Sequence, residues 1–480
     1  MEQIEKLSRF IKEHASDDLN RLLLSASRYP GIDIPFVVDQ LKSRRQIKDK
    51  LPSWYQNDRL VFPAKIAAEQ CSSEQTALYK QRLVDPQAHV CDLTGGLGID
   101  SYFFSRKVRQ VTYIERFPAY CEAAIHNFKV LDVGNVTVLN GDSTELIDKT
   151  DGIDVFYIDP ARRGEGNKRV FALQDCEPDL TKLVPVLFGH APKVIAKLSP
   201  MADIHMTLDL LPDVTAIQVL SVKNECKELL FVLERGSKGG SPQICCVNFT
   251  SEEEPELFAF SLVEEREAVA SIRGEVKRYL YEPNASILKA GAFKAVATRF
   301  GLNKLHVSSH LYTSDEVVPS FPGRSFVVDE VIPFTNKQCK TLSRQIPQAN
   351  ITVRNFPLSV DELRKRTKIV DGGTIYLFAT TLENGDKVLI TRSIEVYERD
   401  GKYQLYASEI ELSGRGDLYL RFEKLLKDLE EMGMFDPQYK RPIPRFAKTV
   451  GIVTAPTGAA IRDIMNISHR RNPYVQLILY

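Results

Sequence analysis

The sequence has little of several residue types that mark specialised proteins. It contains one tryptophan, eight histidines and eight cysteines in 480 residues. No two cysteines form a CxxC pair; they lie at positions 71, 91, 121, 176, 226, 245, 246 and 339. This spacing argues against a zinc ribbon or a disulfide framework. We expect most of these cysteines to be small buried apolar side chains in a reducing compartment, and we expect no metal site.

Long apolar runs and an excess of one charge are also missing. No stretch approaches the roughly 20 apolar residues that cross a bilayer, and the first residues, MEQIEKLSRFIKEH, read as a charged amphipathic helix without a signal-peptide core. The 63 basic and 63 acidic side chains cancel, so any nucleic-acid surface must be a local patch. The sequence predicts a cytoplasmic protein without a membrane contact and identifies no protein partner.

The spacing of apolar residues divides the chain. Residues 1–84 follow a helical period, whereas residues 85–236 alternate short β-branched runs with helical stretches. Seven such runs occur, and the last two should form an antiparallel hairpin because only VKNECK separates them. The pattern predicts an α/β fold with a Rossmann-like sheet of seven strands and a parallel core. The Gly/Ser-rich stretch 234–243 is expected to be a domain edge.

One glycine-rich run carries the first chemical signal. An apolar strand ends at Asp92, and the run continues as Leu93-Thr94-Gly95-Gly96-Leu97-Gly98-Ile99-Asp100 into a helix. Glycines let the backbone approach a bulky ligand closely. A dinucleotide fold presents helix amides to a pyrophosphate, which a carboxylate at this point would repel. The carboxylate instead suits a ligand with an α-amino group, such as S-adenosylmethionine.

Three more acids follow at the expected ends of the next strands. Glu115 closes VTYIE about 20 residues past the glycines, where an acid accepts from ribose hydroxyls. Asp142 in VLNGDS is placed to receive an adenine amino group, and Asp159 closes DVFYID. Each acid alone is more often a surface or capping carboxylate. Four in succession favour a ligand site, because open α/β sheets bind ligands at these strand ends.

Residues 88–235 therefore resemble a class I S-adenosylmethionine-dependent methyltransferase. The stretches FPAKIAAEQCSSEQTALYK, DPARR, KLSPMADI and NECKELLFVL narrow the resemblance to methyltransferases that carry ferredoxin-like and THUMP-like domains. The resemblance implies a methyltransferase domain at 85–236, a ferredoxin-like domain at 276–321 and a THUMP-like domain at 322–388, both small α+β units. By analogy with THUMP modules, it also implies RNA as a partner. The implied cofactor-binding residues are Asp92, Thr94, Gly95, Gly96, Gly98, Asp100, Glu115 and Asp142.

The run Asp159-Pro160-Ala161-Arg162 bears on the acceptor. Methyltransferases that act on nucleobase amines usually follow the acid with two prolines and an aromatic ring, which stacks on the base; here the second proline and the ring are absent. Arg162 either contacts nucleic acid or pairs with a loop carboxylate, and the sequence leaves both open. No cysteine stands in the run Lys197-Leu198-Ser199-Pro200 at the end of the fifth strand, and Cys226 in NECKEL is the one late candidate for a nucleophile. We therefore expect in-line transfer to nitrogen or oxygen, with Asp159, Pro160 and Arg162 as catalytic residues. Tyr157, Lys197 and Glu225 are weaker candidates for the pocket wall.

Residues 389–480 resemble a different protein. FDPQYKRPIP and GIVTAPTGAAIRDI are similar to the large subunit of exodeoxyribonuclease VII, and the two resemblances meet at about 382–390, as in a fusion or chimera. The tail reads as a truncated OB-fold and α/β fragment, so we expect no nuclease activity. Two alternatives to a methyltransferase remain: a DNA-processing protein related to that subunit, and a cofactor-binding scaffold that has lost transfer.

Overall fold

The structure is a computed structural model of the chain. It describes residues 2–162, 173–237, 239–250, 254–392, 448–452, 464–465, 467–468, 470–472 and 474–479. Residues 1–406 form one compact unit and residues 407–480 another. Among the described helices, none combines the length and the apolar character needed to span a membrane.

The N-terminal region is helical, as its periodicity predicts. Its helices are α1 (Glu2–Glu13), α2 (Leu19–Leu24), α3 (Ile34–Ile47), α4 (Pro52–Tyr55), α5 (Lys65–Gln70) and α6 (Glu74–Lys80). Asp33 starts α3 by accepting the Phe36 amide proton, which would otherwise lack a helical partner. Trp54 is fully buried and packs in one cluster with Leu97 and Phe103. The N-terminal helices therefore share a core with the glycine-rich run.

The next part of the chain alternates strands and helices. The strands are β1 (His89–Asp92), β2 (Gln110–Glu115), β3 (Val136–Asn140), β4 (Val155–Ile158), β5 (Ala161–Arg162), β6 (Cys176–Glu177), β7 (Lys193–Leu198), β8 (Val214–Val222), β9 (Glu225–Glu234), β10 (Gln243–Phe249) and β11 (Glu256–Ser261). The helices are α7 (Ile99–Ser105), α8 (Pro118–Val130), α9 (Ser143–Leu146), α10 (Leu180–His190), α11 (Ile204–Leu210) and α12 (Leu262–Glu267). The short strands β5 and β6 pair only with each other.

The main sheet has the strand order β11-β10-β8-β9-β7-β4-β1-β2-β3. Its core β7-β4-β1-β2-β3 is parallel, and β8 and β9 form the expected antiparallel hairpin through Lys223 and Asn224, both of which have positive φ. The Rossmann-like fold is confirmed. The sheet has nine strands rather than the seven expected, because the chain returns after the Gly/Ser-rich stretch and adds β10 parallel to β8 and β11 antiparallel to β10.

The residues after the main sheet build two small α+β units. The first contains β12 (Tyr279–Pro283), α13 (Ala285–Ala290), α14 (Phe293–Arg299), β13 (Asn303–Lys304), β14 (Tyr312–Ser314) and β15 (Gly323–Val327). The second contains β16 (Glu330–Pro333), α15 (Asn336–Gln345), β17 (Gln348–Arg354), α16 (Val360–Thr367), β18 (Val370–Thr381) and β19 (Lys387–Arg392). Their sheets have the orders β13-β14-β12-β15 and β16-β19-β18-β17.

The sequence pattern predicts one helix at 285–302 and one strand at 323–334, and the structure divides both. The stretch 285–302 holds two helices instead of one, because Gly291 ends α13 in the left-handed conformation with φ +77°. The stretch 323–334 holds two strands in different sheets instead of one. The Val328 amide bonds to Arg278 and the Asp329 amide to Thr391, so the chain crosses between the sheets at this point.

Continuous apolar packing joins the three sheets. Phe258 and Phe260 of β11 lie in one buried cluster with Val296 of α14 and Phe321. A second cluster joins Leu280 and Phe326 of the first small sheet to Phe378 and Ile390 of the second. Buried Glu282 adds ion pairs to Arg324 in its own sheet and to Arg354 in the next. The three sheets thus share side chains across their boundaries.

The tail is described only in part. Strands β20 (Thr449–Ile452) and β21 (Gln476–Leu479) pair in parallel, as expected for the second half of this segment. The sequence pattern also predicts β-hairpin material at 386–412 and a helix at 418–432. The helix and most of the hairpin lie outside the described residues.

Strand β11 allows a direct test of whether the main sheet continues past the Gly/Ser-rich stretch 234–243. Phe258 is 3% exposed, whereas its neighbour Leu257, on the opposite face, is 54% exposed. We expect Phe258→Ala to lower the free energy of unfolding by about 3–5 kcal/mol through the lost burial and the cavity it leaves. Leu257→Ala, the matched control, should change it by less than about 0.5 kcal/mol. Urea titration measures both, and equal effects would contradict the assigned faces.

Candidate active site

One cavity lies at the carboxyl edge of the parallel strands. Its volume is about 1210 Å³, and all four carboxylates at the ends of β1 to β4 line it: Asp92, Glu115, Asp142 and Asp159. The carboxyl ends of β1, β2, β3 and β4 meet here because these strands run parallel and side by side. The structure therefore brings together the four acids that the sequence placed at successive strand ends.

Asp92 closes β1 and is almost fully buried, at 1% exposure. Its carboxylate accepts from the Ser101 hydroxyl at 2.6 Å and from the Thr94 amide at 3.1 Å. Burial raises the pKa of Asp92 to about 7, although the Ser101 hydrogen bond works in the opposite direction. A buried carboxylate with so high a pKa gains most from a cationic neighbour.

The glycines beside Asp92 are required by close packing and by backbone conformation. A Cβ on Gly95 would lie 2.1 Å from the Tyr113 ring, and Gly96 has φ +55°. The Tyr113 hydroxyl donates to the Gly96 carbonyl at 2.6 Å, which fixes the turn. Thr94, Gly95 and Gly96 line the cavity. Gly98 is not among the described lining residues; it precedes α7 with φ +81° and packs against Phe128.

Glu115 holds the same turn from the next strand. One carboxylate oxygen accepts from the Gly96 amide at 2.9 Å and the other from the Phe117 amide at 3.0 Å. Phe117 lines the cavity and is 51% exposed. An acid and an exposed aromatic ring therefore stand together at the end of β2. Sequence reasoning did not single out Phe117, although its place two residues after the acid was a usable signal.

Asp142 caps the short helix α9. Its Oδ1 atom accepts from the Thr144 amide at 2.9 Å and from the Thr144 hydroxyl at 2.6 Å, and these hydrogen bonds lower the pKa of Asp142. Both bonds fall on one oxygen. The residue is exposed and lines the cavity, so the capping role and a ligand role are compatible.

Asp100 lines the cavity but is heavily engaged within the protein. It accepts from Lys80 at 2.8 Å, from Ser72 at 2.8 Å and from the Tyr157 hydroxyl at 2.7 Å. Burial alone would raise the pKa of Asp100, but Lys80 and Lys197 outweigh burial and lower it to about 2. Asp100 is thus a fixed negative charge beneath the cavity.

Asp159 and Lys197 form an ion pair on the cavity wall. The Lys197 Nζ atom lies 2.5 Å from Asp159 Oδ2, and the Asp159 amide donates to the Thr94 hydroxyl at 2.7 Å. Burial raises the pKa of Asp159, and Lys197 partly opposes that shift. Pro160 lines the cavity beside them. Arg162 lies in β5 opposite Cys176, and its side chain is outside the described residues.

The three weaker candidates separate in the structure. Lys197 lines the cavity, whereas Tyr157 is buried behind it with its hydroxyl on Asp100. Glu225 is exposed on the β9 hairpin and pairs with Lys227. Sequence reasoning missed Lys80 and Glu228 altogether. Lys80 is fully buried at the end of α6 and lies 2.7 Å from Glu228 Oε2; neither residue stands at a glycine turn or a strand end.

Three family models match separate parts of the chain. Residues 279–322 match a ferredoxin-like domain, residues 323–393 match a THUMP domain-like family, and residues 434–480 match the large subunit of exonuclease VII. The last two matches leave residues 394–433 between them. The matched types agree with the resemblances read from the sequence.

Curated relatives match the tail. The exodeoxyribonuclease 7 large subunit of Lachnoclostridium phytofermentans is 64% identical over 99 residues, and that of Clostridium novyi is 51% identical over 98 residues. These alignments cover 21% and 20% of this chain, and 25% and 24% of the relatives. The chain therefore spans about a quarter of the length of the curated relatives it matches.

A solved structure matches the rest. The crystal structure of a "putative methyltransferase" from Porphyromonas gingivalis W83 is 39% identical, with a TM-score of 0.74. The alignment covers 82% of this chain and 99% of that chain. With the nine-stranded Rossmann-like sheet and the matches to the two small domains, the chain belongs to the methyltransferase family of this protein, in which ferredoxin-like and THUMP-like domains follow the Rossmann-like domain.

Proposed function

We propose that the chain transfers a methyl group from S-adenosylmethionine to RNA. The observation that supports this most is the convergence of Asp92, Glu115 and Asp142 with the Gly95-Gly96 turn in one cavity. The remaining proposed cofactor residues are Thr94 and Asp100, which line the cavity, and Gly98, which supports the turn. On the acceptor side we propose Asp159, Pro160 and Arg162.

The donor set fits this cofactor. Buried Asp92 would hold the α-ammonium group, because an opposite charge removes the penalty of its burial. Glu115 would accept from the ribose hydroxyls, Asp142 would accept from the adenine amino group through its second oxygen, and Phe117 offers a ring beside the adenine. When bound, the cofactor supplies a methyl group on a sulfonium centre, an electrophile for in-line displacement.

The cysteines of this region do not support a covalent route. Burial raises the pKa of Cys226 to about 11, and Cys226 is not among the described lining residues. Cys71 does line the cavity, but burial raises its pKa as well, and its thiol donates to the Ala68 carbonyl at 3.3 Å. A thiol in this state is a weak nucleophile, so direct transfer is the route we propose.

The RNA part of the proposal depends on a basic face of the second small unit. Helices α15 and α16 contact each other, and α15 carries no acidic residue. This face consists of Lys337, Lys340 and Arg344, which are exposed at helical spacing on α15; α16 adds exposed Lys365 and Arg366 together with the exposed acids Asp361 and Glu362. Clustered lysines and arginines bind phosphates and release counterions. We propose that the domains at 276–321 and 322–388 carry the RNA to the cavity.

Binding of the cofactor should depend on pH through Asp92. Only the ionised carboxylate attracts the ammonium group, so affinity should rise as pH increases through about 7 and fall above about 8, where α-amino groups lose their proton. Isothermal titration across this range measures the profile. Asp92→Asn should bind at least about 10-fold more weakly and lose the rise near pH 7. The control Asp151→Ala, an exposed acid outside the described cavity lining, should behave as wild type. If the wild-type protein gives no heat of binding with S-adenosylmethionine, the proposal is wrong.

Removing two phosphate contacts should weaken RNA binding in a salt-dependent way. For Lys337→Ala/Lys340→Ala we expect the slope of log affinity against log salt to decrease by about 2. Fluorescence anisotropy with a defined RNA hairpin measures it. Lys107→Ala/Lys129→Ala, which removes two exposed lysines of the main sheet region, should leave the slope unchanged. An equal decrease in both double variants would contradict this face as the RNA surface.

The exonuclease-like tail supports no second activity in our proposal. It corresponds to about a quarter of its relatives, and its described strands β20 and β21 form a sheet of two. We expect the protein to release no nucleotides from single-stranded DNA in the absence of metal. Digestion in that assay would favour the DNA-processing alternative.

A further inference from the structure

The acceptor side of the cavity rests on a network of buried charges. Lys80 lies 2.8 Å from Asp100 Oδ1, 2.7 Å from Glu228 Oε2 and 2.7 Å from the Ser72 hydroxyl. Lys197 lies 2.5 Å from Asp159 Oδ2, 3.2 Å from the same hydroxyl and 3.9 Å from Asp100 Oδ2. Two lysines and three carboxylates thus form one unit beneath the ends of β1, β4 and β7.

Lys197 is the cation of this unit that reaches the cavity. Its side chain is 11% exposed and that of Asp159 is 37% exposed, and both line the cavity. Lys80 is fully buried and pairs with Asp100 and Glu228, whereas the nearest carboxylate to Lys197 is that of Asp159. Burial alone would lower the pKa of Lys197, but Asp159, Asp100 and Glu228 outweigh burial and raise it. Lys197 therefore stays an ammonium ion.

This ammonium ion discriminates between nitrogen and oxygen acceptors. A neutral amine gains positive charge as it takes a methyl group, and the nearby ammonium opposes that change. A hydroxyl group loses its proton during transfer and gains negative charge on oxygen, which the same ammonium stabilises. The ion pair of Asp159 and Lys197 therefore favours an oxygen acceptor over a nitrogen acceptor.

Polar side chains beside the ion pair point the same way. Asp159 follows β4 and Lys197 belongs to β7, on the other side of β1 from β2. The described lining on that side includes Ser72, Ser199 and Lys227, which suit a sugar and its phosphates better than a stacked base.

We infer that the methyl acceptor is a ribose 2′-hydroxyl of RNA, held between Asp159 and Lys197. This inference rests on the proposed function, because the 2′-hydroxyl is the alcohol that recurs along an RNA chain. The acceptor oxygen forms its bond to the methyl carbon while the carbon–sulfur bond breaks and its electron pair stays on sulfur. The hydroxyl proton passes to the Asp159 carboxylate and then to water, and Lys197 donates a hydrogen bond to the oxygen.

Alkali distinguishes this product from base methylation. The full-length protein is incubated with size-fractionated cellular RNA and S-adenosylmethionine carrying a tritiated methyl group, and the RNA is then hydrolysed in alkali. A 2′-O-methyl group blocks cleavage at its own nucleotide, so we expect the label in alkali-stable dinucleotides. Label in mononucleotides, with the methyl group on the base, would overturn the inference and leave the proposed function standing. An absence of label in every fraction would overturn both.

Two variants test the role of the ion pair. Lys197→Met should lower the labelling of dinucleotides by about 100-fold or more while the rise in melting temperature with S-adenosylmethionine is retained. Lys193→Met removes a lysine from the same strand whose Nζ bonds to the Leu83 carbonyl and which does not line the described cavity; it should label as wild type. If Lys197→Met fails to fold, Lys197→Arg keeps the charge and should retain part of the labelling. If Lys197→Met, which removes the positive charge, labels RNA at the wild-type rate, the inference is overturned.

Discussion

The pairing of buried charges beneath the carboxyl edge of the sheet constrains the rest of the active site. Asp100 and Glu228 are carboxylates in a nearly dry environment, and each is held by Lys80, which is itself fully buried. Loss of one partner would leave an uncompensated charge, which is far more costly than loss of an exposed pair. The last residue of α6 must therefore meet α7 and β9 at one point. This requirement ties the N-terminal helices to the Rossmann-like sheet.

The sequence locates the acids at the strand ends much better than the buried charges beneath them. Asp92, Glu115 and Asp142 stand at strand ends beside glycines or turns, where periodicity locates them and parallel topology brings them together. Lys80 and Glu228 carry no such local signal, since one ends a helix and the other lies within a strand. Their proximity is a property of the three-dimensional packing, and only the structure reveals it.

The fold shows the same division between local and long-range information. The hairpin of β8 and β9 was predictable because only the short stretch VKNECK separates its two apolar runs. In the structure, two residues with positive φ connect the strands. The addition of β10 and β11 was not, because the loop before β10 looks like a linker and the pairing partner of β10 lies earlier in the chain. The division of the helix at Gly291 could have been predicted, since a glycine after a helical turn commonly ends a helix. The crossing at Val328 and Asp329 depends on hydrogen bonds to distant segments.

The shared cores of the three sheets fix the position of the two small units relative to the cavity. Phe258, Val296 and Phe321 join the main sheet to the first small unit, and Leu280, Phe326 and Phe378 join the first small unit to the second. Apolar packing of this kind resists hinge motion, unlike a polar linker. The distance between helices α15 and α16 and the ion pair at Asp159 is therefore fixed by this packing. Under the proposed function, the methylated nucleotide is therefore the one that lies at this fixed distance along the RNA from the element bound at the basic helices.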